Sequence, residues 1–265
     1  MPAAQSPFMD LAVLISGVAD PKWPLPQALS VASLQIHASR YAALSPFDEA
    51  ALELALALRD ANPDIRITAL VAADDALTRR VAGWRPDAVC RVDLDALARW
   101  DGAAVAGALS QALRERAPMA SLVLVGREFG DYDDGSVPAA LSLAVGMTYV
   151  PLALNIRRQG EGFAALRQGA GGLERVQLAA PMLLSATNDP GNRLRHPLMK
   201  NVMLSKKAVF EVLHAASPAS EGALRLDAVG PAQAPVRHTE CEWLEGSPEQ
   251  KARALAQVLM GAVAS

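Results

Sequence analysis

Apolar runs rich in branched residues alternate with helix-period patterns along the first half of the chain. Residues 11–15, 65–72, 88–92 and 121–126 are short and strongly apolar, which predicts buried strands. Between them, helical spacing begins at Pro46, near Asp74, at about Asp101 and at Gly135. Strand and helix in turn predict an α/β fold, a doubly wound and mostly parallel sheet with helices on both faces. The helix at Pro46 is signalled best: Ser45 as N-cap, Pro46 at the first position, Asp48 and Glu49 in the first turn, and Phe47, Ala51, Leu54 and Leu58 on one stripe.

From Pro151 the pattern changes. Apolar stretches at 152–156, 163–166 and 176–178 are separated by glycine-rich turns at 160–162 and 169–172, which predicts antiparallel hairpins extending the sheet. Residues 188–192 form a turn and 197–207 a helix, after which 215–240 carry Ala, Pro and Gly without periodicity and read as an extended arm. A final helix has Ser247 as N-cap, Pro248 at the first position and Gln250 at the third, with Leu255, Val258, Leu259 and Ala262 on one face. Such an arm and helix pack either on another chain or back on their own domain. The division expected is 1–190 for the α/β domain and 191–265 for the remainder.

Composition narrows the function. Over 265 residues, 51% hydrophobic content is ample for a core, and a net charge of −3 leaves no general basic surface for a nucleic-acid backbone. Cys90 and Cys241 stand far apart, without the spacing of a disulfide framework or zinc site, and the four histidines lack an i, i+4 partner. No apolar run approaches the roughly 18 residues that span a bilayer, and residues 1–10 lack a basic segment before the first apolar run. The expectation is a soluble cytoplasmic chain with no membrane insertion and no metal. Of five lysines, three (Lys200, Lys206, Lys207) crowd into eight positions, either as a solvated helix face or as a docking surface for an acidic partner.

Candidate chemistry gathers in two loops. Residues 126–138 (GREFGDYDDGSVP) join a buried strand to a helix, the place where an α/β sheet sets a nucleotide. Free N–H groups of Gly135, Ser136 and Val137 could bind phosphate, with the helix dipole adding about 0.3–1 kcal/mol. Asp131, Asp133 and Asp134 would repel a phosphate unless they turn aside to cap the helix, bind ribose hydroxyls or bond backbone amides. A capped turn with no ligand is the alternative. The other loop, Ser16 to Asp20, resembles a degraded SGGxDS loop of ATP pyrophosphatases, with Val18 and Pro21 at two of its six positions. Dinucleotide and Walker motifs are absent, since Gly169-Ala170-Gly171-Gly172 has Glu174 where GxGxxG needs glycine. No GxSxG elbow occurs either.

Four segments in order resemble the β subunit of electron transfer flavoproteins. Ser45 to Glu53 (SPFDEAALE) resembles the family's NPFDExALE, Gly126 to Pro138 its nucleotide loop, Arg167 with Gly171-Gly172-Leu173-Glu174 its RxxDGGLE, and Asn201 to Lys207 (NVMLSKK) its NIMKAKK. Departures occur at Ser16, where the family has Lys, at Ser45, where it has Asn, at Ala170, where it has Asp, and at Met199-Lys200, where it has Leu-Pro.

The resemblance implies an adenine-nucleotide alpha-hydrolase-like fold and a subunit without substrate chemistry of its own. Its partner would be an electron transfer flavoprotein α subunit that holds most of the FAD, while the β subunit buries AMP or a second FAD. Carried over by position, that pocket comprises Leu14, Ser16, Ser45, Ala73, Asp131, Asp134, Gly135, Ser136 and Val137, with Phe47 toward the flavin. Partner recognition falls to Leu198, Met199, Lys200, Lys206 and Lys207, with flavin dehydrogenases as electron donors and a quinone reductase as acceptor. The arm and terminal helix would pack on the α subunit. Two other classes compete: a stand-alone adenine-nucleotide enzyme of pyrophosphatase or adenylating type using Ser16 to Asp20, and a nucleotide-binding sensor.

Overall fold

A computed structural model describes residues 8–40, 42–95, 97–214, 228–230 and 243–263. In chain order the elements are β1 (Met9–Ile15), β2 (Val18–Ala19), α1 (Val31–Arg40), β3 (Ala42–Ala43), α2 (Pro46–Ala61), β4 (Ile65–Val71), α3 (Asp75–Ala82) and β5 (Ala88–Asp93). They continue with α4 (Gly102–Arg116), β6 (Leu122–Gly126), α5 (Ser136–Val145), β7 (Thr148–Gln159), β8 (Gly162–Gly169), β9 (Gly172–Ala179) and β10 (Met182–Ala186). A short 3-10 turn (Pro190–Asn192), α6 (Met199–Ser205), β11 (Glu211–His214) and α7 (Pro248–Val263) complete the set.

Nine strands form one sheet in the order β11-β5-β4-β1-β6-β10-β7-β8-β9. Every pair from β11 to β7 is parallel, while β7-β8 and β8-β9 are antiparallel hairpins. The α/β sheet with its antiparallel extension is therefore as the hydrophobic pattern predicts.

The period of two in β1 assigns its faces. Leu11, Val13 and Ile15 join the core beneath α2 and α3, whereas Ala12 and Leu14 join the opposite core beneath α4 and α5. Both faces being covered, the central strands are apolar throughout: all five residues of β6 and the last five of β1 are buried.

Helix starts follow their caps. Ser45 Oγ accepts the amide of Asp48 at 2.9 Å and the Asp48 carboxylate accepts the amide of Ser45 at 3.1 Å, a reciprocal box that opens α2 one residue after the cap. Asp74 and Asp101 cap α3 and α4 in the same sense, accepting from Leu77 and Ala104. Ser247 and Gln250 close the equivalent box on α7.

Elements β2, α1, β3, β10 and β11 go beyond those the pattern predicts. β10 is five buried residues between β6 and β7, a run too short for periodicity to separate strand from helix. β11 is an edge strand with Glu211 and His214 exposed and only Leu213 buried. By contacts the chain divides into Met1–Val229 and Gly230–Ser265, so residues 191–214 belong with the sheet rather than with the terminal helix. The expected arm, 215–240, lies outside the described residues except at 228–230.

Candidate functional site

After β1 the chain steps to β4 and β5 on one side, then crosses to β6 on the other. The loops leaving the C-terminal ends of β1 and β6 therefore diverge, which opens a crevice at the switch point. Around it lie residues 16–17 after β1, 72–74 after β4, 94–95 and 97–99 after β5 and 127–135 after β6.

The β1 loop is fixed from within. Asp48, wholly buried, accepts the amides of Ser16, Gly17 and Ser45, each at 3.1 Å, and lies within 3.3 Å of the Ser16 hydroxyl. Burial pushes its carboxyl above the ordinary range, while the hydrogen bonds from Ser16, Ser45 and Gly17 pull the other way. Ser16 and Ser45 are themselves buried. Two backbone donors of the β1 loop are thus spent on a carboxylate of this chain.

The β6 loop has a similar occupant. Gly135, with φ of +102°, caps α5 in the left-handed region and turns successive amides toward one point. At that point sits the Asp133 carboxylate: Oδ1 accepts the amides of Gly135 at 3.0 Å, Ser136 at 2.8 Å and Val137 at 3.1 Å, and the Ser136 hydroxyl at 3.0 Å. Oδ2 accepts the amide of Phe129 at 2.8 Å. The three amides expected at a ligand phosphate thus converge on Asp133.

Beside these loops lies a cavity of about 550 Å³, within the range of small-molecule sites. Ser16, Ala73 and Asp131 of the expected pocket line it, together with Gly130, Tyr132, Arg91 and Arg99. Asp131 accepts the Ala19 amide at 2.8 Å and so ties the β6 loop to the β1 loop. Leu14 is fully buried in the core, Val137 is buried on the inner face of α5, and Ser45 belongs to the cap of α2. Asp134 and Ser136 are exposed and Gly135 half-buried, and none of the three lines the cavity.

Phe47 is half-buried on the far side of the β6 end. Its ring carries the Arg127 guanidinium 4.7 Å from the centroid, and a Cβ at Gly126 would lie only 3.0 Å from that of Phe47, which is why glycine ends β6. Arg127 is also held by Glu128 through two donors at 2.7 and 2.9 Å.

The expected recognition residues form a separate group. Leu198, Met199, Met203 and Leu204 stand 53–74% exposed on α6 and its cap, beside exposed Lys200, Lys206 and Lys207. Nearby in the chain Arg195 is clamped to α2: its guanidinium bonds Glu53 and Asp60, its amide donates to Glu53 at 3.1 Å, and its carbonyl accepts Trp84 Nε1 at 2.6 Å. Those two carboxylates raise the guanidinium's affinity for its proton still further. Sequence reasoning missed this clamp, along with the cavity arginines and the inward turn of Asp48. Only the register of Asp48 as the third residue after a Ser cap signalled the last of these.

Among the described residues no cluster of His, Cys, Asp and Glu could hold a metal, and no helix is long and apolar enough to cross a membrane. Residues 33–218, well over half of the chain, match the electron transfer flavoprotein domain family. A curated protein of Megasphaera elsdenii named electron transfer flavoprotein subunit beta is 29% identical over 188 residues, which cover 68% of this chain and 69% of that one. Proteins of the same name match from Syntrophomonas wolfei (25% identical, 69% of this chain and 71% of the relative) and Bradyrhizobium diazoefficiens (26%, 62% and 65%).

Proposed function

The chain belongs to the electron transfer flavoprotein domain family, and from that premise we propose that it is the β subunit of a heterodimer whose α subunit holds most of the FAD. In this reading it carries out no substrate chemistry. It closes one side of the flavin site, buries an adenine nucleotide, AMP or the adenylate of a second FAD, and passes electrons from a flavin dehydrogenase toward a quinone reductase in the cytoplasm. The redox chemistry would be the flavin's, while the protein supplies placement, exclusion of water and a docking face.

The observation that carries this reading is the cavity at the switch point, bordered by Ser16, Ala73 and Asp131 in a member of this family. Phe47 and Arg127 suit the flavin side, since an aromatic ring and a fixed cation can face an isoalloxazine edge. The α6 face suits docking: exposed Leu198 and Met199 offer adaptable apolar contact, and Lys200, Lys206 and Lys207 steer an acidic surface. The amphipathic α7 suits an α subunit as its cover.

Co-production with an α subunit tests the proposal. The pair should be yellow, and mass spectrometry of small molecules released on denaturation should find FAD together with AMP, or a second equivalent of FAD. A stable colourless chain that binds no α subunit would refute it. ATP turnover by the chain alone would favour the pyrophosphatase-type reading of Ser16 to Asp20.

A further inference from the structure

We infer that Arg195 is a positioning residue for partner docking: by bridging two turns of α2 it fixes where the chain enters α6, and so holds the exposed apolar face of that helix in the pose that a flavin dehydrogenase meets. This rests on the reading above, that α6 is the docking face, and adds what presents that face.

The helix cannot hold itself. α6 is seven residues long, below the roughly 12–15 at which an isolated helix is even marginally stable in water. Its N-cap, Leu198, makes no side-chain cap bond, and only Ser205 of its residues is buried. A Cβ placed at Gly83, just beyond α3, would lie 3.7 Å from Val202 and 3.8 Å from Pro197, so α6 touches the rest of the fold along that narrow seam. Little apolar burial therefore seats it.

The mount lies just upstream. Buried Asn192 donates to the carbonyls of Leu154 and Thr187 at 3.0 and 2.9 Å and fixes the chain against β7. Arg195 Nε then lies 3.0–3.1 Å from both Glu53 carboxylate oxygens, Nη2 donates to Glu53 at 2.7 Å, and Nη1 reaches Asp60. Residues 53 and 60 stand two turns apart on one face of α2, so a planar guanidinium spans them as a fork where an ammonium could not. The peptide joins in, its amide donating to Glu53 and its carbonyl receiving the Trp84 indole, which ties the entry of α6 to the end of α3 as well. An exposed ion pair contributes little to global stability by itself. One that selects a single pose of a short helix spares a partner the ordering of that helix on docking.

Glu53 separates holding from touching. Its side chain is 14% exposed, against 42% for that of Arg195, so it offers a partner little surface. A dehydrogenase that used Arg195 only as one more surface cation would respond to loss of Arg195 and not to loss of Glu53. One that needs α6 in place responds to both.

The test uses the complex with the α subunit, carrying Arg195→Ala, Arg195→Lys or Glu53→Ala, and takes as probes an acyl-CoA dehydrogenase and an amine dehydrogenase, each with its substrate. Arg195→Ala keeps both peptide bonds of the clamp, so flavin content should be unchanged. With whichever probe reduces the unaltered complex, Arg195→Ala and Glu53→Ala should each raise KM for the complex about fivefold to tenfold and leave kcat within about twofold, and the double variant should lose no more than either alone. Arg195→Lys, which can meet one carboxylate without forking, should fall between. Hydrogen exchange at the amides of residues 201–205 should quicken about tenfold in both alanine variants. An unchanged KM in Arg195→Ala overturns the proposal. So does a raised KM there with normal exchange and a silent Glu53→Ala, since Arg195 would then act as a contact. If neither probe reduces a flavin-loaded unaltered complex, the reading of α6 as a docking face falls and takes this proposal with it, a result distinct from a dehydrogenase that reduces every variant alike.

Discussion

Asp48 and Asp133 perform the same chemistry in opposite surroundings. Each carboxylate gathers backbone amides at the start of a helix beside the cavity. Asp48 reaches back across 32 residues to the β1 loop and is wholly buried, whereas every bond of Asp133 lies within four residues of it, on a half-exposed loop. The first joins β1 to α2 and is part of the tertiary structure. The second organises one turn, and the fold stands around it. A carboxylate that stitches distant segments in the dark cannot be exchanged for a ligand, while one that caps a local turn near water can.

The sharpest way to break that distinction is Asp48→Ala. It would orphan three amides, those of Ser16, Gly17 and Ser45, around a side chain that is wholly buried. The expected loss is about 3 kcal/mol of unfolding free energy, measured by chemical denaturation. A loss below about 1 kcal/mol would make the two aspartates equivalent after all.

The same residue carries a pH signature. Because burial raises the Asp48 carboxyl above 3.8 in the folded chain, the unfolded chain releases this proton first on going up in pH. The stability it contributes is therefore greatest below pH 3.8 and declines as pH climbs toward the folded-state value, then levels. Unfolding midpoints of the unaltered chain, measured against Asp48→Asn across this range, should show the unaltered chain losing ground as pH rises. An opposite slope would mean that the amide donors outweigh desolvation.

These two residues also show how far sequence could be read. Strand runs such as 121–126, the cap Ser45 and the helix starts near Asp74 and Asp101 were legible because their signals are local: branched residues in a row, an acceptor placed to meet an orphan amide, or the onset of a helical period. The nucleotide loop was legible as a strand-to-helix turn, and its three aspartates as a difficulty. What local pattern could not supply was direction. Nothing in SPFDE says that Asp48 points inward to residues 16 and 17, since that depends on β1 and α2 packing together. Arg91 and Arg99 lie on β5 and on the loop before α4, and only the parallel pairing of β5 with β4 brings them to the carbonyls of Ala73 and Ala72. β10 escaped for the same reason, as its place between β6 and β7 is fixed by long-range pairing.

For the other member of the pair, Asp133→Asn is the next test in size. The substituted amide keeps one oxygen for the Gly135, Ser136 and Val137 amides but loses the charge at the helix tip and cannot accept from Phe129 as Oδ2 does. The expected cost is about 1 kcal/mol, roughly a third of that for Asp48→Ala, because one local bond is lost on a partly exposed turn instead of three in the core. A cost matching Asp48→Ala would show the α5 turn to be as structural as the β1 stitch.

The smallest effect separates a capping role from a ligand role at a single hydroxyl. Ser136 Oγ donates to Asp133 Oδ1 at 3.0 Å in an exposed first turn, so Ser136→Ala removes one hydrogen bond that water already contests. Loss of that bond costs about 0.5 kcal/mol, and alanine's better helix propensity returns about as much, so the unfolding midpoint should barely move. AMP affinity should stay level as well, because the hydroxyl is turned onto Asp133 and lies outside the cavity lining. A Ser136→Ala chain of normal stability that loses AMP about tenfold would mean that Asp133 swings away when nucleotide enters, and that the α5 tip grips the phosphate.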